Sequence, residues 1–193
     1  MHLPALTILL CAAAAPAPSA QSEGSERPAV RRGPLDRGSS FAPLYLSGTI
    51  AGGEHLVEVH AGIGHFFFNH LSVEFDLVAG RVDYGRRRRA VARTWDAGGD
   101  LMGRWHFLRF EPGSIYLDAG TGIRVFGSEF PIGGTRFNFT LQAGAGVRVR
   151  LWEPLALIGG ARWFHVSNAS LWGRARNPAH NALQLYAGLQ FSW

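Results

Sequence analysis

The chain has 193 residues, of which 17% are charged and 12% aromatic, with 25 glycines, one cysteine and a net charge of +5. That length makes one domain, and abundant glycine and aromatic residues at low charge suit many strands with tight turns and speak against a helical protein. The lone cysteine excludes a disulfide framework, and the basic balance asks for a polyanionic partner.

Residues 1–20 read as a signal peptide. Leu3–Ala15 form an apolar run too short to span a bilayer as a helix, followed by small residues up to Ala20. Cys11 would leave with the leader, so the exported chain would have no thiol chemistry. Export also redirects the charge argument. A basic cytosolic protein suggests nucleic acid, whereas the abundant polyanion of an outer membrane is the phosphorylated lipid of its outer leaflet, for which arginine is well shaped. Residues 21–40, with Gly, Ser, Pro and mixed charge but no periodicity, read as a flexible linker or mobile plug.

From Phe41 onward the pattern predicts eight strands and no helix: 43–51, 55–67, 71–83, 99–110, 114–126, 136–150, 155–167 and 181–193. Alternation carries the reading. In the second, Val57, Val59, Ala61 and Ile63 oppose Glu58, His60, Gly62 and Gly64; in the sixth, Phe137, Phe139, Leu141, Ala143, Ala145, Val147 and Val149 oppose Asn138, Thr140, Gln142, Gly144, Gly146, Arg148 and Arg150. In the last, Leu183, Leu185, Ala187, Leu189, Phe191 and Trp193 share one face. An apolar face can meet a second sheet or, in an outer-membrane barrel, lipid with the polar face filling the lumen. Strand length favours the barrel, since roughly 9–11 residues make a tilted crossing.

The connections orient it. Those near Asn69-His70, Glu111-Pro112 and Glu153-Pro154 are short, whereas the alternate set is mostly longer, at residues 84–98, 127–135 and 168–180 with only the first, near Gly52-Gly53-Glu54, short; these are the periplasmic and extracellular sides of such a barrel. Phe68, Phe110, Trp152 and Trp193 fall at the periplasmic ends, where an aromatic girdle belongs. The expected fold is therefore an all-β, eight-stranded antiparallel transmembrane outer-membrane β-barrel over residues 41–193. A soluble lipocalin-like carrier is the less favoured alternative.

At the extracellular end of the seventh strand stand His165, Val166 and Ser167. Residues two apart on a strand project from one face, which sets an imidazole beside a hydroxyl, the core of a serine nucleophile and its base. With the odd positions of this strand on lipid, both would face outward at the level of the headgroups, and the substrate would be a lipid. The bland alternative is a polar strand end feeding a loop.

The run His165-Val166-Ser167-Asn168-Ala169, a loop, then Asn177-Pro178 and a final alternating strand resembles the active-site segment of the outer-membrane lipid A 3-O-deacylase (PagL) family. The stretch from Gly62-Ile63-Gly64-His65-Phe66-Phe67 to Leu71-Ser72-Val73-Glu74 is similar to an earlier hairpin of that family. The resemblance spans Phe41 to Trp193, with the His-x-Ser-Asn segment its specific part. It implies a cofactor-free esterase in the outer membrane of a Gram-negative bacterium that removes the ester-linked 3-position acyl chain of lipid A, the lipid anchor of lipopolysaccharide. Ser167 would be the nucleophile, His165 the base, and donors near Asn168 would hold the oxyanion. The family's triad carries a glutamate early in the last strand or just before it, yet no acid follows Ser167 in this chain. Asn181 is the expected substitute, orienting the imidazole through its carbonyl. His180 is the competing candidate, with Glu54, Asp96 and Glu129 on other external loops as weaker ones and Ser170 as a second choice of nucleophile. The missing acid supports the rival function, a non-catalytic barrel that binds outer-leaflet lipid.

Arg86, Arg87, Arg88 and Arg89, in the second external loop, read either as a solvated run or as a clamp for the phosphates of the substrate. His60, His106 and Glu58 lack metal-ligand spacing, so no metal is expected. Asn138-Phe139-Thr140 fits a glycosylation acceptor but falls within a membrane strand and is discarded. A homodimer is left open.

Overall fold

The structure is a computed structural model that describes residues 33–51, 53–84 and 93–193. The expected leader of residues 1–20, most of the expected linker and Arg86–Arg89 lie outside the described residues. Eight antiparallel strands close into a barrel in sequence order, β1 pairing with both β2 and β8. They are β1 (Ser40–Ile50), β2 (Glu54–Phe68), β3 (Leu71–Tyr84), β4 (Arg93–Phe110), β5 (Gly113–Phe130), β6 (Thr135–Trp152), β7 (Leu155–Ser167) and β8 (His180–Ser192). Closure leaves no strand edge unpaired, the condition for crossing hydrocarbon with strands.

Two strands run further than their alternation suggests. β4 starts at Arg93 and not near residue 99, and β5 reaches Phe130 and not residue 126. Their connection to β6 shrinks from the expected 127–135 to residues 131–134. The pattern was masked by Ala97-Gly98-Gly99 and Gly127-Ser128-Glu129, which lack contrasting side chains. Gly98 is there for space: a Cβ at this position would overlap the Ile123 carbonyl of the neighbouring strand. The expected linker also ends early, because residues 33–39 form turns against the periplasmic rim. Gly38 N–H donates to the Phe66 carbonyl at 2.8 Å and His70 N–H to that of Leu35 at 2.8 Å.

Outward positions are a near-continuous apolar band: Leu44 and Leu46 on β1, Val57 and Val59 on β2, Phe75 and Leu77 on β3, Leu183, Leu185 and Leu189 on β8 are all exposed. Such a surface is stable only against lipid. Phe68, Phe110, Trp152 and Trp193 are exposed at the periplasmic end. The lumen at mid-height is solid with paired charge. Arg124 holds Asp100 through two bonds of 2.8 Å and Glu58 at 3.0 Å, Arg162 holds Asp118 at 2.8 Å beneath the Tyr186 ring, and Arg104 holds Glu74 at 3.1 Å.

Near the extracellular end the polarity inverts. Inside, Leu56, Val82, Tyr84, Phe126, Phe130, Phe164 and Val166 form an apolar cluster, where a polar lumen was expected. Outside, His55, Arg81, Arg93, Arg136 and Asn181 are exposed. The reason is the solvent. Once the wall leaves the bilayer it faces water, and the extended strands enclose an ordinary hydrophobic core. The level of inversion therefore marks the outer surface of the membrane.

Cysteines placed at Leu185 and Leu189 should resist a water-soluble maleimide in liposomes and react once the lipid is replaced by denaturant, while one at exposed Arg174 reacts in both. Bilayer-independent labelling at 185 or 189 would contradict the lipid-facing assignment.

Candidate active site

β7 and β8 pair with His165 directly opposite Asn181, and both point outward. Opposed side chains of an antiparallel pair stand close enough to bond. His165 Nδ1–H donates to Asn181 Oδ1 at 2.9 Å, and the Ser167 hydroxyl meets His165 Nε2 at 3.0 Å. Because the Asn181 carbonyl can only accept, it keeps the imidazole proton on Nδ1 and leaves Nε2 as a base toward Ser167. The three side chains thus form one hydrogen-bonded line at the level where the outer wall turns from apolar to polar.

Trp163 stacks on His165, ring centroids 5.5 Å apart and 23° from parallel. Cross-strand pairing sets Leu183 opposite Trp163 and Ile50 opposite Leu183, so Trp163, Leu183 and Ile50 make a row one layer toward the membrane centre. With Asn181 and Ala182 they line a shallow cleft of about 310 Å³. This largely apolar groove reaches Asn181, the hydrogen-bond partner of His165, and an arrangement of this kind can take an ester whose acyl chain lies in lipid. Trp163 could have been found from sequence, being two residues before His165 on the same face; Ile50 reaches the site only through barrel closure.

The loop after Ser167 is built by asparagines. Asn168 N–H donates to Asn177 Oδ1 at 2.9 Å, its Nδ2 donates to Thr135 Oγ1 at 3.0 Å and to the Arg176 carbonyl, and its Oδ1 accepts Ser170 N–H at 3.0 Å. Asn168 is buried. Its backbone and side-chain N–H groups are committed to the loop, so Asn168 shapes the turn that follows Ser167. Ser170 accepts from Asn177 Nδ2 at 3.0 Å, within that scaffold.

The other candidates for orienting His165 lie elsewhere. His180 faces the lumen, 3.4 Å from Glu54, because adjacent strand residues point to opposite faces. Asp96 belongs to β4, not to a loop, and is buried near Arg124 at 3.8 Å. Glu129 belongs to β5, not to a loop, and lies 3.7 Å from Arg176 of the β7–β8 connection. Of the residues weighed as metal ligands, His60 lies 3.7 Å from Glu58, while His106 bonds Ser114 at 2.8 Å in another part of the lumen.

The lipid A 3-O-deacylase (PagL) family profile matches residues 62–190, two thirds of the chain and all of β7 and β8 but the final residues. The chain belongs to the lipid A 3-O-deacylase (PagL) family. No curated protein matches the sequence. Among solved structures, the Escherichia coli outer membrane protein W is similar at 11% identity and a TM-score of 0.54, covering 82% of this chain and 99% of that one. The outer membrane protein AlkL is similar at 14% identity and 0.53, covering 86% and 94%, and the neisserial surface protein A at 14% and 0.51, covering 79% and 95%. At such identities the likeness concerns the fold. This PagL-family barrel resides in the outer membrane of a Gram-negative bacterium, with lipid A as the substrate its family implies.

Proposed function

We propose that this barrel hydrolyses the 3-position acyl ester of lipid A by a serine mechanism run by Ser167, His165 and Asn181. The observation that carries the reading is the continuous hydrogen-bonded line from Asn181 through His165 to Ser167 on the lipid-facing wall. Ser167 Oγ attacks the acyl carbonyl as His165 Nε2 takes its proton, and the proton then passes to the departing sugar oxygen. Water, deprotonated by the same nitrogen, releases the fatty acid from Ser167. No cofactor enters the scheme. The N–H of Ala169, an exposed residue, has no hydrogen-bond partner among the described residues and is the donor we assign to the oxyanion. Arg174 and Arg176, exposed on the same loop, are suited to the substrate's phosphates, the role the sequence also offers for Arg86–Arg89, outside the described residues.

Asn181 sets the tautomer but, being neutral, cannot stabilise imidazolium as a carboxylate does. The Trp163 ring face offers part of that stabilisation. The test is mass spectrometry of lipid A from a heterologous host with and without the protein, which should show loss of one acyl chain. In the same assay Asn181→Ala should slow release about tenfold, the worth of one neutral hydrogen bond. Asn181→Glu should raise it, because a charge-assisted bond is roughly twice as strong. An inert wild type whose Asn181→Glu variant gains activity would instead assign the natural protein to lipid binding.

A further inference from the structure

The periplasmic mouth, at the opposite end from Ser167, carries a second cluster of arginines. The turns of residues 33–39 roof it, and beneath Pro34 lie two clefts of about 370 and 130 Å³ that share Arg148 and Arg150 in their walls. Arg109 and His70 line the larger, Trp152 and Trp193 the smaller.

Arg148 is the unusual member. It is 4% exposed, its Nε is buried without a hydrogen-bond partner, and no carboxylate among the described residues pairs with it. The nearby acids are engaged: Glu111 and Glu153 hold Arg150, and Asp36 accepts the Gly33 N–H at 2.7 Å. Arg109 donates to His70 Nε2 at 2.6 Å, which leaves its charge uncompensated. Partial burial and then Arg109 itself hold His70 below the usual imidazole range, so it stays a neutral acceptor. A buried guanidinium without a counter-charge is costly. Every other fully buried arginine of the lumen, Arg104, Arg124 and Arg162, has its carboxylate.

We infer that this mouth is a phosphate-binding site, in which Arg148 and Arg109, which line the larger cleft together, take the oxygens of a phosphate group. The guanidinium fork fits phosphate oxygens in pairs. Trp152 and Trp193, at the end of the smaller cleft, are interfacial residues that lie at headgroup level, so the site opens where the inner-leaflet phospholipids present their phosphodiesters. A free periplasmic phosphate offers the same chemistry. The inference is independent of the reaction at Ser167.

Titration calorimetry on the purified protein in a non-ionic detergent decides it, with dihexanoyl-phosphatidylglycerol, inorganic phosphate and uncharged dihexanoylglycerol as probes. Saturable binding of a phosphate-bearing probe is expected, weakened about tenfold or more by Arg148→Gln, less by Arg148→Lys, and reduced by salt. Binding of the phospholipid alone identifies a lipid headgroup as the ligand; equal binding of inorganic phosphate identifies the free anion. Arg109→Gln, on an exposed side chain, serves as the second variant should Arg148→Gln fail to fold. No binding of either phosphate probe to the wild type, equal binding of the uncharged lipid, or affinity unchanged in the folded variants would overturn the inference.

Discussion

Ser167→Ala and His165→Ala should each reduce lipid A deacylation by at least about 10³-fold while the barrel stays folded, because a nucleophile and its base act as a unit and losing one costs nearly as much as losing both. Both side chains point away from the packed lumen, so neither supports the fold. The measurement is acyl release per mole of protein that migrates as the folded form on unheated gels. Ser170→Ala is the companion variant. Its hydroxyl is held by Asn177, so it should disturb the loop modestly and leave the chemistry in place. Full activity in Ser167→Ala with loss in Ser170→Ala would move the nucleophile and sink the proposed mechanism.

The second large effect concerns stability. Arg124 lies at the centre of Glu58, Asp96 and Asp100, all buried within the barrel. Arg124→Ala would leave the buried carboxyl groups of Glu58 and Asp100 without their guanidinium partner, and breaking a buried pair in this way costs about 3–5 kcal/mol. The urea midpoint of the wild type, read from the heat-modifiable gel shift, should fall accordingly. Arg93→Ala provides the contrast. Arg93 binds Asp83 at 2.8 Å, but its side chain is 65% exposed, and such surface pairs contribute at most about 1 kcal/mol. Equal losses in the two variants would mean that the lumen network contributes nothing beyond its individual contacts.

The eight strands, their inward and outward faces, the periplasmic turns and the outward pair His165 and Ser167 were legible in the sequence. Period-two alternation against lipid is a local property, and two residues on one strand share a face wherever the strand lies. Family resemblance rested on the same short segment. Asn181 was also within reach, since β7 and β8 are neighbours joined by one loop, but choosing it over His180 required the register, and a slip of one residue reverses every side chain. The structure pairs residue 165 with 181 and sends His180 inward.

What the sequence by itself determined was therefore the barrel, its direction and the outward pair His165 and Ser167 on its seventh strand. Only the tertiary structure decided what depends on residues far apart in the chain. Closure of β1 on β8 brings Ile50 beside Leu183. Asn168 turned inward because Thr135, from another hairpin, receives its amide. The lumen above the membrane became apolar because Phe126 and Phe130 of β5 meet Phe164 of β7 and Leu56 of β2, strands that come together only once the ring is closed. Arg148 reads in sequence like any other lumen arginine, and its lack of a carboxylate emerges only when every opposing strand is in position. Alternation specifies which way a side chain points; what it meets there depends on register and curvature, which are properties of the assembled sheet.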